Sequence, residues 1–508
     1  MSRIFRFFFL TLLIFLLTAR ISPASTYVDI EDTQIYNILS RLEAEGVIND
    51  GLLSTRPLSR KEVVRLTREA EANSQESSEF IKNLVQALKQ RVKPEEFENH
   101  ELKPLDSVYA KYINTNADII TITYPGPAHE KEQALNYNNN GDLYGRNSNY
   151  RSGFISRLDD IGPFSFYLNP EFRSTDNSER GVLKKAYGVL DFPWIDIIAG
   201  KDSQWWGPGY NGAILQSNNA EPRTMIKLTS PKPLKLPWIF KYLGPFQYSL
   251  FVAKLEKNRG DFSEPYLDGI RFDFKPSPYI ELGLERIVLL GGHGRPLSTN
   301  QWINSFSGLE AHPDKTASDY TDSEAGFDIK VTLPFKRQPI QIYWERDGED
   351  GRMHNPLPYK YADLLGIYLP RLFAFERIGL RAEYAANRTP VNPDAWYTHG
   401  NYTSGMTYNG MVMGHNMGTN SQDTFLELSY TIPEKNLTVF LSHDKQIHYL
   451  AEPVREITRT TKLTSNFQFA RHFDVAASVG YGWIENPGSI PGPSQYVNQV
   501  SSEVRYVF

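Results

Sequence analysis

The chain has 508 residues, 40% of them hydrophobic and 22% charged, with 13% aromatic side chains and no cysteine. A formal net charge of -5 gives no footprint for a nucleic acid, and the missing cysteines exclude disulfides, thiolate catalysis and cysteine metal sites. A mean hydropathy of -0.44 is ordinary for a soluble protein, and it equally fits a barrel whose lipid-facing and lumen-facing residues alternate.

At the N-terminus, Arg3 and Arg6 precede an apolar run from Phe7 to Leu17, and Ser22-Pro-Ala24 supplies small residues for cleavage. This predicts a signal peptide over residues 1–24 and export from the cytoplasm. No later run reaches the roughly 18 apolar residues of a spanning helix. Residues 25–105 are expected to form a small helical bundle on the periplasmic side. Ile35, Ile38, Leu39 and Leu42 recur at helical spacing, with Gly46 as a C-terminal stop. Ser59-Arg-Lys-Glu62 reads as a capping box ahead of Val63, Val64 and Leu66. A third helix is predicted over Ser78–Val92, carrying Ile81, Leu84, Val85 and Leu88.

From Ser107 the apolar pattern changes to period two. Representative strands are Phe246–Glu256, Tyr266–Lys275, Tyr279–Val288, Gly326–Leu333 and Ala374–Ala385. Short connections such as Pro276–Pro278 and Pro433–Lys435 alternate with long ones such as Asp202–Pro222, Gly291–Ser323 and Asn387–Asp423. About nine long and about eight short connections imply an all-β transmembrane barrel of about 18 antiparallel strands over residues 106–508. The stretch Ser230–Gly244, broken by Pro231, Pro233 and Pro237, is long for a periplasmic turn. The closing strand ends Val504-Arg-Tyr-Val-Phe508, with Val504, Tyr506 and Phe508 on one face.

Three loops carry the chemistry. Gln204-Trp-Trp-Gly-Pro-Gly209 with Ser217-Asn-Asn219 and Pro222-Arg223 combines flat aromatic faces with planar polar groups, which suits sugar rings rimmed by hydroxyls. The stretch from Asn387 to Asp423 holds Trp396, Tyr397, His399 and Gly414-His-Asn-Met-Gly418. Its histidines and methionines match no ligand spacing, so no metal and no cofactor is expected. Gly291-Gly-His-Gly-Arg295 with Trp302 adds a third polar, aromatic loop on the same side. No Gly-x-Ser-x-Gly elbow marks a nucleophile, so no catalytic residues are assigned.

In these motifs, and in Arg56-Pro-Leu-Ser-Arg60 before the barrel, the chain resembles the Wzi family of capsule assembly proteins. The resemblance implies an outer-membrane barrel with a periplasmic helical bundle, acting as a non-enzymatic lectin that holds capsular or other exported polysaccharide at the cell surface. Its expected partners are the polysaccharide, outer-membrane lipids and polysaccharide export machinery, with the protein itself a monomer. On this reading Trp205 and Trp206 stack on sugar, while Asn218, Asn219, Arg223 and His415 bond hydroxyls or acidic groups. Trp206→Ala would then lower cell-associated polysaccharide at unchanged barrel abundance. The competing expectation is a diffusion channel for sugars or other small solutes.

Overall fold

A computed structural model describes residues 24–98, 103–123, 129–308, 321–349, 360–387, 396–450, 452–470 and 472–508. The expected signal segment through residue 23, and stretches of several long loops, lie outside the described residues. Eighteen antiparallel strands close into one barrel. In chain order they are β1 Lys103–Thr115, β2 Asn147–Ile161, β3 Phe164–Thr175, β4 Ser178–Asp191, β5 Asp196–Asp202, β6 Arg223–Thr229, β7 Pro245–Lys254, β8 Tyr266–Ser277 and β9 Ile280–Leu290. The second half comprises β10 Thr321–Leu333, β11 Ile340–Glu349, β12 Tyr361–Leu369, β13 Ile378–Ala386, β14 Gln422–Ile432, β15 Leu437–His448, β16 Glu456–Phe469, β17 Phe473–Glu485 and β18 Gln495–Val507. Each strand pairs with its sequence neighbours, and β18 seals against β1 in the register Ser107↔Val507 and Val108↔Tyr506.

The strand faces are inverted relative to a soluble sandwich. In β3, Phe164, Phe166, Leu168 and Phe172 are exposed, whereas Ser165, Asn169, Glu171 and Arg173 are buried. In β14, Leu426, Leu428 and Tyr430 point outward and Glu427, Ser429 and Thr431 inward. An apolar outer surface around a polar interior is what lipid requires, and closure leaves no unpaired strand edge in it. Exposed aromatics also ring the short-turn end, among them Trp194, Trp238, Phe240, Phe335, Phe373, Phe375 and Phe469, as at a membrane interface.

Ser230–Gly244 keeps the strand count intact. Leu234–Lys235 adds a two-residue strand to β7, and a 3-10 turn spans Trp238–Leu243. The hairpin between β3 and β4 departs from the loop sorting, since Thr175 and Ser178 flank a tight turn at the long-loop end. Gly291–Ser323 is not all loop: Thr299–Ser307 is a helix whose Ser298 and Gln301 form a reciprocal capping box.

Among the described residues three longer helices precede the barrel, α1 Thr33–Ala44, α2 Arg60–Asn73 and α3 Glu79–Val92, followed by a five-residue helix Pro94–Glu98. They share a core built from Leu39, Leu42, Val63, Leu66, Leu84 and Leu88. The Ser59 cap is half of the predicted box. Its hydroxyl accepts from Glu62 N, but the Glu62 carboxylate turns to Arg65.

This segment docks into the short-turn mouth of the barrel. Because the lumen face is polar, the dock is ionic. Glu43 accepts from Lys275 Nζ at 2.7 Å and Lys330 Nζ at 2.9 Å, and Ser54 N donates to Glu281 at 2.9 Å. Arg60 pairs with Asp159 and Lys61 with Asp191 at neighbouring turns. Burial alone would raise the Asp29 carboxyl, yet Lys185 at 2.8 Å overrides it and holds the group below the usual carboxylate range. Such pairs fix position, since removing one partner strands a buried charge.

Long loops fold into the lumen from the opposite mouth. Between them and the helices lies a polar cavity of about 460 Å³ lined by residues including Asp29, Arg91, Lys111, Asp142, Trp205 and Asn218. A lumen packed from both ends is expected not to behave as a diffusion channel. In planar bilayers the purified protein should give no steady porin-like conductance; a stable open level would contradict this packing.

Candidate functional site

The Trp-Trp-Gly-Pro-Gly loop begins where β5 ends and returns to the wall at β6, the two shortest barrel strands at seven residues each. Its backbone is a joint between three bodies. Trp205–Trp206 pairs as a short antiparallel ladder with Thr55–Arg56 of the helical segment, and Gly207 N donates to Ser54 O at 2.9 Å. Trp206 N donates to Gln216 O at 2.9 Å, closing the loop on itself. Glu383 on β13 accepts from Tyr210 N and Asn211 N, both at 2.7 Å, and so fixes the loop to the wall.

Trp206 is fully buried, its ring edge-on to Phe251 at 5.3 Å, in a core with Met225, Ile287 and Tyr343. No face remains for a sugar. Gly207, at φ +115°, lies so close to Glu345 that a Cβ would stand 2.4 Å from a carboxylate oxygen. Gly212 has the same constraint against His415, whose ring carbon would meet a Cβ at 2.3 Å.

The other expected sugar contacts are also buried. Asn219 Nδ2 donates to Val412 O at 3.1 Å, Asn218 Nδ2 to Asn138 O at 2.9 Å, and Arg223 to Gln216 Oε1. His415 N donates to Tyr397 Oη, which in turn donates to Ile214 O at 2.6 Å. Ring nitrogen Nδ1 accepts from Met417 N at 3.2 Å, which places the ring proton on Nε2. Burial pushes the imidazole down to about 3, with the Asp423 carboxyl 3.9 Å from Nε2. The sequence motifs therefore come together as one scaffold. Of the six, Trp205 and Asn218 border the inner cavity, while Trp206, Asn219, Arg223 and His415 make only internal contacts among the described residues.

A Ser–His contact also occurs, with Ser421 Oγ 3.2 Å from His448 Nδ1. The hydroxyl is fully buried and donates to Thr419 O at 2.7 Å, so its proton is already committed. That is a packing arrangement, with no access for a substrate.

An accessible site lies on the long-loop rim instead. Lys254, Glu264, Tyr266, His293, Arg295 and Trp302 line a surface groove of about 320 Å³. Trp302 meets Tyr266 edge-to-face at 5.3 Å, and the Arg295 guanidinium lies over Phe262 at 4.4 Å. His293 and Lys254 are exposed, and Lys254 bridges to Glu264 at 2.9 Å. The clue in the sequence was the third loop, Gly291–Arg295 with Trp302. What it lacked was the capped helix that carries Trp302 towards Tyr266.

A family model described as "Capsule assembly protein Wzi" matches residues 127–497. The chain belongs to the Wzi family. A Klebsiella pneumoniae protein described as "Uncharacterized 55.8 kDa protein in cps region" is 27% identical over 336 residues, 63% of this chain. The chain spans 58% of that relative's length. The Escherichia coli Wzi structure, described as an outer membrane protein involved in group 1 capsule assembly and a carbohydrate-binding β-barrel, matches with a TM-score of 0.71. That match covers 96% of this chain and 99% of the other at 20% identity, and it establishes the fold of this Wzi-family barrel.

Burial reverses the expectation for Trp206→Ala. Deleting this side chain should cost about 3–5 kcal/mol and reduce folded barrel in the membrane, read by heat-modifiable gel mobility; undiminished barrel would refute its packing role. The His415 shift carries a pH dependence. Its folded value lies below the unfolded one near 6.5, so its contribution is intact above that pH and declines as pH falls towards 3. Denaturant unfolding in micelles at pH 7, 6, 5 and 4 should show wild type losing up to about 1.4 kcal/mol per pH unit more than His415→Asn.

Proposed function

We propose that this Wzi-family barrel is a non-enzymatic lectin that holds capsular or other exported polysaccharide at the outer surface of the outer membrane. The observation that carries the reading is the rim groove. An indole and a phenol ring offer flat faces to sugar rings, while Lys254 and His293 offer donors for hydroxyls and carboxylates. Cationic groups at the mouth favour an acidic polymer. A groove this small engages a few sugars, so a long chain is retained by repeated engagement across many copies of the barrel.

In this arrangement the long loops face outward and the helical segment faces the periplasm, where export machinery would meet it. The barrel works as a monomer in outer-membrane lipid. The buried Trp205–Trp206 motif supports the reading indirectly, because it fixes the inner loops on which the rim is built. The description of the E. coli Wzi structure as carbohydrate-binding points the same way.

Trp302→Ala and the pair Lys254→Ala/His293→Ala should lower cell-associated polysaccharide several-fold while leaving barrel abundance and heat-modifiable mobility at wild-type levels. Unchanged polymer retention in both well-folded variants would remove the groove from the assignment.

A further inference from the structure

Five buried carboxylates meet in the barrel wall behind the Trp-Trp loop. Asp273 lies on β8, Glu285 on β9, Asp328 on β10, and Glu345 and Asp347 on β11. The cation paired with them among the described contacts is Arg271. It reaches Glu285 at 2.6 Å, Asp273 at 2.8 Å and Asp328 at 2.7 Å, and all of these groups are fully enclosed. Arg271 is thereby spent on three acids, and among the described residues it pairs with neither Glu345 nor Asp347.

The two remaining acids and the far side of Glu285 face one another. Glu285, Glu345 and Asp347 each place a carboxylate oxygen within 4.8 Å of the others. Glu345 Oε1 accepts from Ile214 N at 2.6 Å. Glu345 Oε2, Glu285 Oε1 and both oxygens of Asp347 have no hydrogen-bond donor among the described residues. Asp347 is 0% exposed, so water in bulk does not serve it. Mutually repelling, undonated carboxylates in a protein interior demand either protons or a cation.

We propose that Glu285, Glu345 and Asp347 bind a divalent cation of the calcium type. The donors are all carboxylate oxygens, with no imidazole or thiolate in the set, which selects a hard cation over zinc or copper. Carboxylates that can bind through one or both oxygens suit the irregular shell of calcium better than the strict octahedron of magnesium. Glu345 gives the site a structural reach. One of its oxygens holds Ile214 of the inner loop, and Gly207 of the Trp-Trp motif packs against the other. A bound cation therefore ties β9 and β11 to the loop that joins the helical segment to the wall.

The test uses the full mature chain, refolded in detergent with EDTA and then titrated with CaCl2 or, as a luminescent stand-in, TbCl3. Wild type should take up one calcium per chain by elemental analysis, melt several degrees higher with calcium, and sensitise terbium emission on tryptophan excitation, Trp206 being adjacent to Gly207. The double variant Glu345→Gln/Asp347→Asn removes the repulsion. It should melt higher than calcium-free wild type and lose both the calcium response and the terbium signal. If wild type is indifferent to calcium, gives no terbium emission and is stabilised by mild acid alone, the carboxylates are held by shared protons and the proposal fails. Should the double variant not fold, the wild-type titrations decide the matter alone. Polysaccharide retention is not a readout here, so the outcome is separate from that of the lectin reading.

Discussion

Everything in this molecule follows from the refusal of lipid to hydrogen-bond a backbone. A sheet placed in that solvent has to close, and closure turns its apolar side chains outward and its polar ones inward. The inner face of this barrel is accordingly crowded with Lys, Arg, Asp and Glu. Whatever enters such a lumen meets charge rather than oil. The helical segment can keep its own apolar core, because the surface it shows the barrel is the ionic one built around Glu43, Arg60 and Lys61. Ion pairs of this sort contribute little net stability, but they punish misplacement heavily. They set where the segment sits.

The same inversion explains what the Trp-Trp motif does. A loop that leaves the wall and crosses the lumen has to bring its own apolar matter. Trp206 supplies it, against Phe251 and Met225. Its backbone then pairs with Thr55–Arg56, so the helical segment and the outer loops are registered through one two-residue ladder. Glycines at 207 and 212 permit the approaches to Glu345 and His415 that this crossing needs. The neutral, buried His415 belongs to the same joint, hydrogen-bonded through Tyr397 back to Ile214.

The strands were legible because period two survives in a barrel wall, and the proline-rich turns punctuate it at the short end. Strand ends differ from the expected ones by a few residues, as with Ala374–Ala385 against Ile378–Ala386, where the turn residues Ala374 to Arg377 resemble strand in composition. The site was less legible. Tryptophan beside amide side chains is the chemistry of a sugar platform and also of a folded-in loop, and only burial separates the two. Glu345 and Asp347, two apart on one strand, show in sequence as inward neighbours. Glu285 does not, since it reaches them from two strands away across β10.

A division of labour results. Residues committed to the lumen are held by so many mutual contacts that a change in one propagates to the helical segment, the wall and the loops together. Such residues are poorly placed to adapt to a new polymer. The rim groove is built differently: Trp302 rides on a short capped helix, His293 on a glycine-rich turn, and Lys254 at a strand end. Each can be exchanged without disturbing the closed sheet, whose hydrogen bonds run between backbones. On the lectin reading, recognition belongs at the rim, whose side chains stand outside the closed sheet, while the interior supplies the stiffness that holds them in place.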